Sequence, residues 1–178
     1  MIEERKLKNL LEDKNREAIK VFYQENYKMI FRLAYKFTNN KEDAEDILQE
    51  TFVRALKNIK KLKIESSKSL KNWLLRICIN ISIDFLRKKK VEFFLRTKIR
   101  AQEQSNPEKK MEKRELKEKM ERAISSLSPK QRVVFTLKYL DDFKIKDISE
   151  VLGTSENTIK KHLQRSVKKI EKILGGLR

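Results

Sequence analysis

The sequence has little cysteine, glycine, proline or histidine, and each shortage excludes a class of protein. A single cysteine among 178 residues cannot form an internal disulfide. Three glycines and two prolines supply too few turns for an all-β sandwich or a Gly-rich nucleotide-binding unit. The only histidine, His162, has no second or third ligand beside it, so we expect no metal and no cofactor. Long helices remain, and the sequence predicts an all-α fold.

Long apolar runs are also missing. No stretch approaches the ~20 consecutive apolar residues of a membrane span, so we expect no membrane insertion. Met1 to Leu11 alternates charged residues with short apolar pairs and lacks the apolar region of a secretory signal. Cys78 lies in an apolar run and reads most simply as a buried residue of a protein in a reducing compartment, the alternative being a reactive thiol. We therefore expect a cytoplasmic protein.

Acidic residues are too few to balance the basic ones. The chain has 26 Asp and Glu against 44 Lys and Arg, which gives a net charge of +18. Residues 1–53 carry a net charge of −1, residues 54–100 carry +12 and residues 129–178 carry +6. A basic surplus of this size favours a polyanionic partner, nucleic acid first and an anionic membrane surface second.

A charge-dense stretch poor in apolar residues separates the two basic zones. Its first part has no apolar residue after Ala101, and its second part, up to Glu118, alternates charge signs as a solvated helix does. The apolar pattern resumes near Leu116. We therefore predict two small helical domains, residues 1–95 and 116–178, joined by a flexible linker over residues 96–115.

The acidic residues of the first domain are concentrated on one predicted helix. Apolar residues from Ala44 to Ile59 recur at helical spacing and form one buried stripe. Acids in the first turn of this helix are explained by the helix dipole. That turn is expected to carry Glu42, Asp43, Glu45 and Asp46. Asp46, Gln49 and Glu50 also lie one turn apart on the face opposite the apolar stripe. They form an acidic and amide patch, for which docking of a partner is the alternative explanation.

A basic helix is predicted from Ser69 to Lys90, and most of its positions are apolar, so most of it must be buried. Its polar exceptions recur every three or four residues, and such a stripe is either a solvated face or a phosphate contact. Trp73 either packs in the core or stacks on an unpaired base, since it follows a lysine-rich loop at residues 60–68. The polar stripe consists of Arg76, Asn80, Asp84, Arg87 and Lys88.

The second domain contains a helix-turn-helix pattern. Ser128, Pro129 and Gln131 supply the cap, the first-turn proline and the capping-box amide of one helix. A short helix then ends at Gly153, and Thr154 or Ser155 caps a longer helix. The second helix of such a pair enters the major groove of DNA, whereas a helical hairpin without DNA binding is the alternative. The polar side of the longer helix carries Lys160, Lys161, His162, Gln164, Arg165 and Lys168.

Three motifs, taken together in this order, point to one protein family far more specifically than a helix-turn-helix pattern alone. They are DAEDILQETFVRAL at residues 43–56, LKNWLLRICINISIDFLRKKK at residues 70–90, and LSPKQRVVFTLKYLDDFKIKDISEVLGTSENTIKKHLQRSVKKI at residues 127–170. The chain resembles small bacterial sigma factors of the extracytoplasmic-function group, within the sigma-70 family. The resemblance implies a sigma-2-like helical bundle that reads and melts the −10 promoter element and a sigma-4-like helix-turn-helix domain that reads the −35 element. It also implies that the protein is not an enzyme.

The resemblance assigns residues to three surfaces. The residues matching the surface that docks on the clamp coiled coil of the polymerase β′ subunit are Asp46, Gln49 and Glu50. Those matching the surface that captures a flipped base and the melted strand of the −10 element are Lys63, Lys68, Trp73, Arg76, Asn80, Asp84, Arg87 and Lys88. Those matching the −35 reading helix are Ser155, Thr158, Lys160, Lys161, His162 and Arg165.

The implied partners are core RNA polymerase, through its β′ clamp coiled coil and β flap, and promoter DNA; an anti-sigma factor is a common further partner of the family. A stand-alone helix-turn-helix regulator, with residues 1–95 as a sensor or dimerisation domain, is the competing hypothesis. An enzyme acting on nucleic acid is the weakest hypothesis, because the acidic cluster lies on the least basic part of the chain.

The sequence departs from the family pattern at two positions. Leu70 stands where the family usually has Phe. Glu156 lies beside the expected major groove, where phosphate would repel it unless it accepts a hydrogen bond from a cytosine amino group. The base sequence of the −35 element is therefore not predicted.

Overall fold

The computed structural model describes residues 4–62, 69–99 and 112–175, and in these ranges all regular structure is helical. The prediction of an all-α fold is confirmed. The helices are α1 (Glu4–Glu12), α2 (Arg16–Thr38), α3 (Lys41–Asn58), a 3-10 helix (Ile59–Lys61), α4 (Ser69–Ile99), α5 (Glu112–Ser126), α6 (Pro129–Tyr139), α7 (Ile145–Leu152) and α8 (Glu156–Leu174).

The chain forms two compact units, Met1–Phe85 and Leu86–Arg178, and the division falls inside α4. The linker predicted at residues 96–115 overlaps the end of α4 and the start of α5. Residues 100–111, between these two helices, lie outside the described ranges. The domain limits taken from the sequence therefore stay predictions.

Two consecutive asparagines make the turn between α2 and α3 without glycine. Asn39 adopts a left-handed conformation with φ of 52°, and its N–H donates to the Tyr35 carbonyl at 2.7 Å. Asn40 then caps α3, because its side-chain oxygen accepts from the Asp43 N–H at 2.9 Å. Asparagine tolerates the left-handed region better than most residues. The short turn makes α2 and α3 antiparallel neighbours, which form the centre of the first unit.

The core of the first unit is built from buried residues of α2, α3 and α4. The rings of Phe22 and Phe52 meet edge to face, with centroids 5.6 Å apart. From α4, Leu74, Cys78 and Ile79 are fully buried. The buried position predicted for Cys78 is confirmed. Burial raises the pKa of its thiol to about 12, so it is protonated at neutral pH and unsuited to a reactive role.

In the second unit, local capping defines the helices as the sequence predicted. The Ser128 side chain accepts from the Gln131 N–H, and the Gln131 side chain accepts from the Ser128 N–H, which completes the capping box of α6. Gly153 ends α7 in the left-handed region with φ of 60°. Ser155, rather than Thr154, caps α8, and its side chain accepts from the Thr158 N–H at 3.3 Å.

Two cations of the second unit stabilise the end of α5. The guanidinium of Arg132 donates to the carbonyls of Ile124 at 3.3 Å and Ser125 at 2.6 Å. The ammonium of Lys169, on α8, donates to the Ser126 carbonyl at 2.6 Å. These carbonyls lack partners within the helix and lie at the negative end of its dipole. Arg132 therefore stabilises the packing of α5 against α6, and Lys169 stabilises the packing of α5 against α8.

Candidate functional site

The acidic patch lies on the outer side of α3. Asp46 and Gln49 are exposed and Glu50 is half-buried, as expected for a polar stripe away from the core. Glu50 accepts from the Nε of Arg54 at 2.6 Å, one turn along the helix. This exposed i,i+4 pair adds only about 0.3 to 0.5 kcal/mol of stability, but it orients the Glu50 carboxylate.

The helix dipole explains some acids of α3 and not others. Glu42 and Asp43 are in the first turn, where negative charge is stabilised by the N-terminal end of the helix. That effect falls off beyond the first turn, so it does not account for Asp46 or Glu50. The pair with Arg54 gives Glu50 a small role in helix stability, whereas local helix stability gives no reason for the exposed carboxylate of Asp46.

The polar stripe predicted on α4 is exposed along its length. Its residues share one side of the helix because they recur every three or four positions, while Leu74, Leu75 and Ile79 are buried on the other side. Trp73 is half-buried at the start of the stripe, so its ring both packs and presents surface. Lys63 and Lys68 lie outside the described residues. The exposed members are Arg76, Asn80, Asp84, Arg87 and Lys88.

The helix-turn-helix predicted from sequence is present as α7, the turn at residues 153–155 and α8. The turn is fixed by the Ser149 hydroxyl, which donates to the Thr154 carbonyl at 2.6 Å. Ser155, which caps α8, and Thr158, in its first turn, are both exposed, with their hydroxyl oxygens 3.0 Å apart. The first turn of α8 thus presents two hydroxyls whose mutual hydrogen bond orients them.

The basic residues of α8 divide between two tasks. Lys160, Lys161 and Arg165 are exposed, as are Gln164 and Lys168, so they are available to a partner. Lys169 instead bonds the end of α5. The buried side of α8 holds Ile159, Leu163 and Ile170. The exposed cations are therefore the nucleic-acid candidates of this helix.

His162 differs from its neighbours on α8, and the sequence placed it wrongly among the solvent-facing residues. It is half-buried, and its Nδ1 is enclosed without a hydrogen-bond partner. The reason is its position three residues after the buried Ile159 and four before the buried Ser166. Burial, with the charges of Lys130 and Arg165, lowers the pKa of His162. The neutral imidazole is thereby favoured.

Three exposed side chains of the first unit were not singled out from the sequence. Val53 is 44% exposed on α3, and Tyr23 and Tyr27 are 41% and 36% exposed on α2. A signal for Val53 was available, since it lies seven residues after Asp46 and four after Gln49 and is apolar within a polar stripe. No comparable signal marked the tyrosines, because their exposure depends on how α2 packs.

Among the residues that the structure describes, no three His, Cys, Asp or Glu side chains are grouped so that they could hold a metal ion. In the same part of the chain, no helix is long and apolar enough to cross a membrane.

Comparison with known proteins identifies both units. Residues 22–92 match the family model of sigma-70 region 2, and residues 117–170 match that of sigma-70, region 4. The chain is 32% identical to the ECF RNA polymerase sigma factor SigW of Bacillus subtilis (strain 168), over 83% of this chain and 84% of that protein.

Two solved structures share the fold. One is CnrH in complex with the cytosolic domain of CnrY, with a TM-score of 0.65, 18% identity and 97% of each chain covered. The other is the sigma factor RpoE in complex with the anti-sigma factor NepR from Bartonella quintana, with a TM-score of 0.60 and 23% identity. That comparison covers 89% of this chain and 99% of the RpoE chain. Both similarities bear on the fold alone.

Proposed function

The chain belongs to the extracytoplasmic-function RNA polymerase sigma factors, which direct RNA polymerase to promoters, and on that premise we propose how its helices divide the work. In this proposal α3 docks on core polymerase, α4 reads and melts the −10 element, and α8 reads the −35 element. Sigma factors are regulators of initiation and not catalysts. A stand-alone helix-turn-helix regulator would have no reason to match sigma-70 region 2 over residues 22–92.

The observation that carries the proposal is the opposite charge of the exposed face of α3 and the exposed faces of α4 and α8. The patch on α3 is acidic in a chain of net charge +18, and DNA phosphates would repel it. The exposed cations of α8 and of the α4 stripe attract the same phosphates. Two different partners therefore suit the two kinds of face, a protein for α3 and DNA for α4 and α8.

On α4, the proposal assigns capture of an unpaired −10 base to the region around Trp73. Removing a base from the stack costs a few kcal/mol, which ring stacking and phosphate contacts must offset. The half-buried ring of Trp73 supplies a fixed stacking surface. The exposed Arg76, Arg87 and Lys88 supply positive charge along the same side of the helix. Lys63 and Lys68, which lie outside the described residues, are assigned to the same role only by the resemblance stated from the sequence.

On α8, the proposal assigns base reading to the first turns, because the N-terminal residues of a recognition helix face base edges. Ser155 and Thr158 are exposed there, and Lys160, Lys161 and Arg165 follow within three turns. His162 takes part only through the exposed part of its side chain, because its Nδ1 is buried. Glu156 is exposed in the first turn and accepts a hydrogen bond from a cytosine amino group in this arrangement.

The proposed partners are the β′ clamp coiled coil of core polymerase for α3 and the β flap for the second unit, with residues 96–115 as the linker. An anti-sigma factor is a further proposed partner. The solved structure of RpoE with NepR supports this idea at the level of the shared fold. Such a partner would inactivate the chain most directly by covering the acidic patch that polymerase requires.

Charge reversal on α3 tests the division of labour. We expect Asp46→Lys to abolish polymerase binding and promoter-directed transcription, while duplex DNA binding at low salt is retained. Glu25→Lys is the matched control, since it makes the same charge change at an exposed residue of α2 that lies outside the patch and, two residues from both Tyr23 and Tyr27, faces away from them. Transcription by Asp46→Lys at the level of Glu25→Lys would contradict the assignment of the docking surface.

A further inference from the structure

Three side chains with exposed apolar surface lie on α2 and α3, and we call them the tyrosine-valine face: Tyr23, Tyr27 and Val53. The ring of Tyr23 packs on Phe52, with centroids 4.8 Å apart, and stacks on Tyr27 at 5.7 Å with 9° between the ring planes. Phe52 is the residue before Val53 on α3. The face therefore continues from α2 onto α3.

The same geometry brings the face next to the patch. Because α2 and α3 are antiparallel, the step of one turn from Tyr23 to Tyr27 corresponds to one turn back along α3, from Phe52 toward Gln49. Val53 lies one turn beyond Gln49 and Glu50 on the exposed side of α3. The acidic patch and the tyrosine-valine face are thus two parts of one continuous surface.

We propose that the tyrosine-valine face is the apolar half of the docking surface for core RNA polymerase, an inference that rests on the function proposed for the acidic patch. The charge of the surface favours this occupant over DNA, since Asp46 and Glu50 border the apolar side chains. The complementary polymerase surface carries apolar side chains flanked by Lys or Arg. Burial of the face supplies affinity, while the charged border fixes the register.

The rings are well suited to this role because they are already held in place. Tyr23 rests between Phe52 and Tyr27, so little side-chain freedom remains to be lost on binding. The bond from Arg54 likewise orients Glu50 before polymerase arrives. Tyrosine at the centre of an interface commonly contributes a large share of the binding energy. Tyr27 and Val53 are therefore expected to anchor the interaction.

The test is competition by full-length variants against labelled wild-type chain for core RNA polymerase. Val53→Ala removes apolar surface and favours the helix, so folding is retained. We expect Val53→Ala and Tyr27→Ala each to weaken polymerase binding by about tenfold, and Val53→Ile to bind normally. Tyr35→Ala is the matched control for Tyr27→Ala. Like Tyr27, Tyr35 is exposed on α2, by 42%, and it stacks on Phe31 four residues earlier, as Tyr27 stacks on Tyr23.

Thermal unfolding of each variant and its binding to duplex DNA at low salt separate loss of docking from loss of fold. Val53→Ala and Tyr27→Ala with wild-type polymerase affinity, beside a loss in Asp46→Lys, would overturn this inference and leave the proposed function standing. Wild-type affinity in all three variants would place the docking surface elsewhere and overturn both. An equal loss in Tyr35→Ala would also contradict the inference, since the effect would then not be specific to this face.

Discussion

At the scale of single residues, the contacts of the α8 lysines decide which of them are structural. Lys169 reaches the Ser126 carbonyl at 2.6 Å and holds the end of α5, whereas Lys161 is exposed within the first turns of the helix. The two residues have the same charge and lie on the same element. Replacing each with glutamine therefore separates a phosphate contact from a packing contact.

We expect Lys161→Gln to weaken promoter binding by the polymerase complex and to make its dependence on salt shallower. Loss of one phosphate contact reduces the slope of log K against log salt by about 0.9. Lys169→Gln leaves the slope unchanged and lowers the unfolding temperature instead. Binding measured at several KCl concentrations, with thermal unfolding of both variants, checks this. Equal slopes for Lys161→Gln and wild type would exclude a phosphate contact.

His162 makes the stability of the second unit depend on pH. Its pKa is lowered in the fold, from an ordinary value of 6.5, by burial and by the charges of Lys130 and Arg165. The unfolded chain therefore binds a proton at a higher pH than the folded chain does. The stability contributed by neutral His162 is present above about pH 6.5 and is lost as the pH falls below it.

We expect wild type to lose more stability than His162→Gln between pH 7.5 and pH 5.5. Other groups that titrate in this range contribute equally to both proteins, so the difference isolates the imidazole. Urea unfolding of both chains at the two pH values, followed by a signal from the second unit, measures it. The same loss in the two proteins would show that His162 is not desolvated.

At the scale of elements, the turn between α7 and α8 depends on the left-handed conformation of Gly153. A Cβ at this position would meet no atom within 4 Å, so a side chain is opposed only by the backbone conformation, with φ of 60°. Non-glycine residues pay roughly 1 to 2 kcal/mol in this region, and asparagine pays less. The angle between α7 and α8 thus depends on the ability of glycine to adopt the left-handed conformation.

We expect Gly153→Ala to lower the free energy of unfolding of the second unit by about 1 kcal/mol and Gly153→Asn by less. Both variants also weaken −35 binding if strain tilts α8 relative to α7. Chemical unfolding and promoter binding by the polymerase complex are the measurements. Gly153→Ala as stable as wild type would mean that the turn relaxes to another conformation at no cost.

The elements were largely predictable because their determinants are local. The capping box of Ser128 and Gln131, the stop at Gly153 and the apolar stripe of α8 each depend on residues within a few positions. The orientation of His162 was not predictable, since it lies at the edge of that stripe and packing against α6 decides its burial. The stacking of Tyr23 on Phe52 depends on how α2 and α3 pack, which no short pattern encodes.

The same contrast holds for the candidate site. The exposure of Asp46, Gln49 and the α4 stripe followed from helical spacing, because each lies opposite an apolar face. The pairing of Glu50 with Arg54 is compatible with their i,i+4 spacing but required side-chain geometry to be seen. Which bases these side chains contact is a matter of the complex with DNA, and their roles there stay predictions.

At the scale of the whole molecule, the distribution of charge is the central feature. The first 53 residues carry a net charge of −1 and hold the acidic patch, while the following 47 carry +12. A sigma factor must contact both a polymerase and DNA, and opposite charge on separate faces keeps each face from competing for the other's partner. Affinities for DNA are therefore expected to depend steeply on salt.

Run-off transcription with core RNA polymerase, on a pool of promoter fragments from the source genome at one fixed salt concentration, tests the central claim most directly. With the chain present, we expect discrete new start sites that are absent with core polymerase alone, and their upstream sequences should align into −10 and −35 elements. If no new transcripts appear and the chain alone binds specific duplex sites, the assignment of promoter selection to this chain is contradicted.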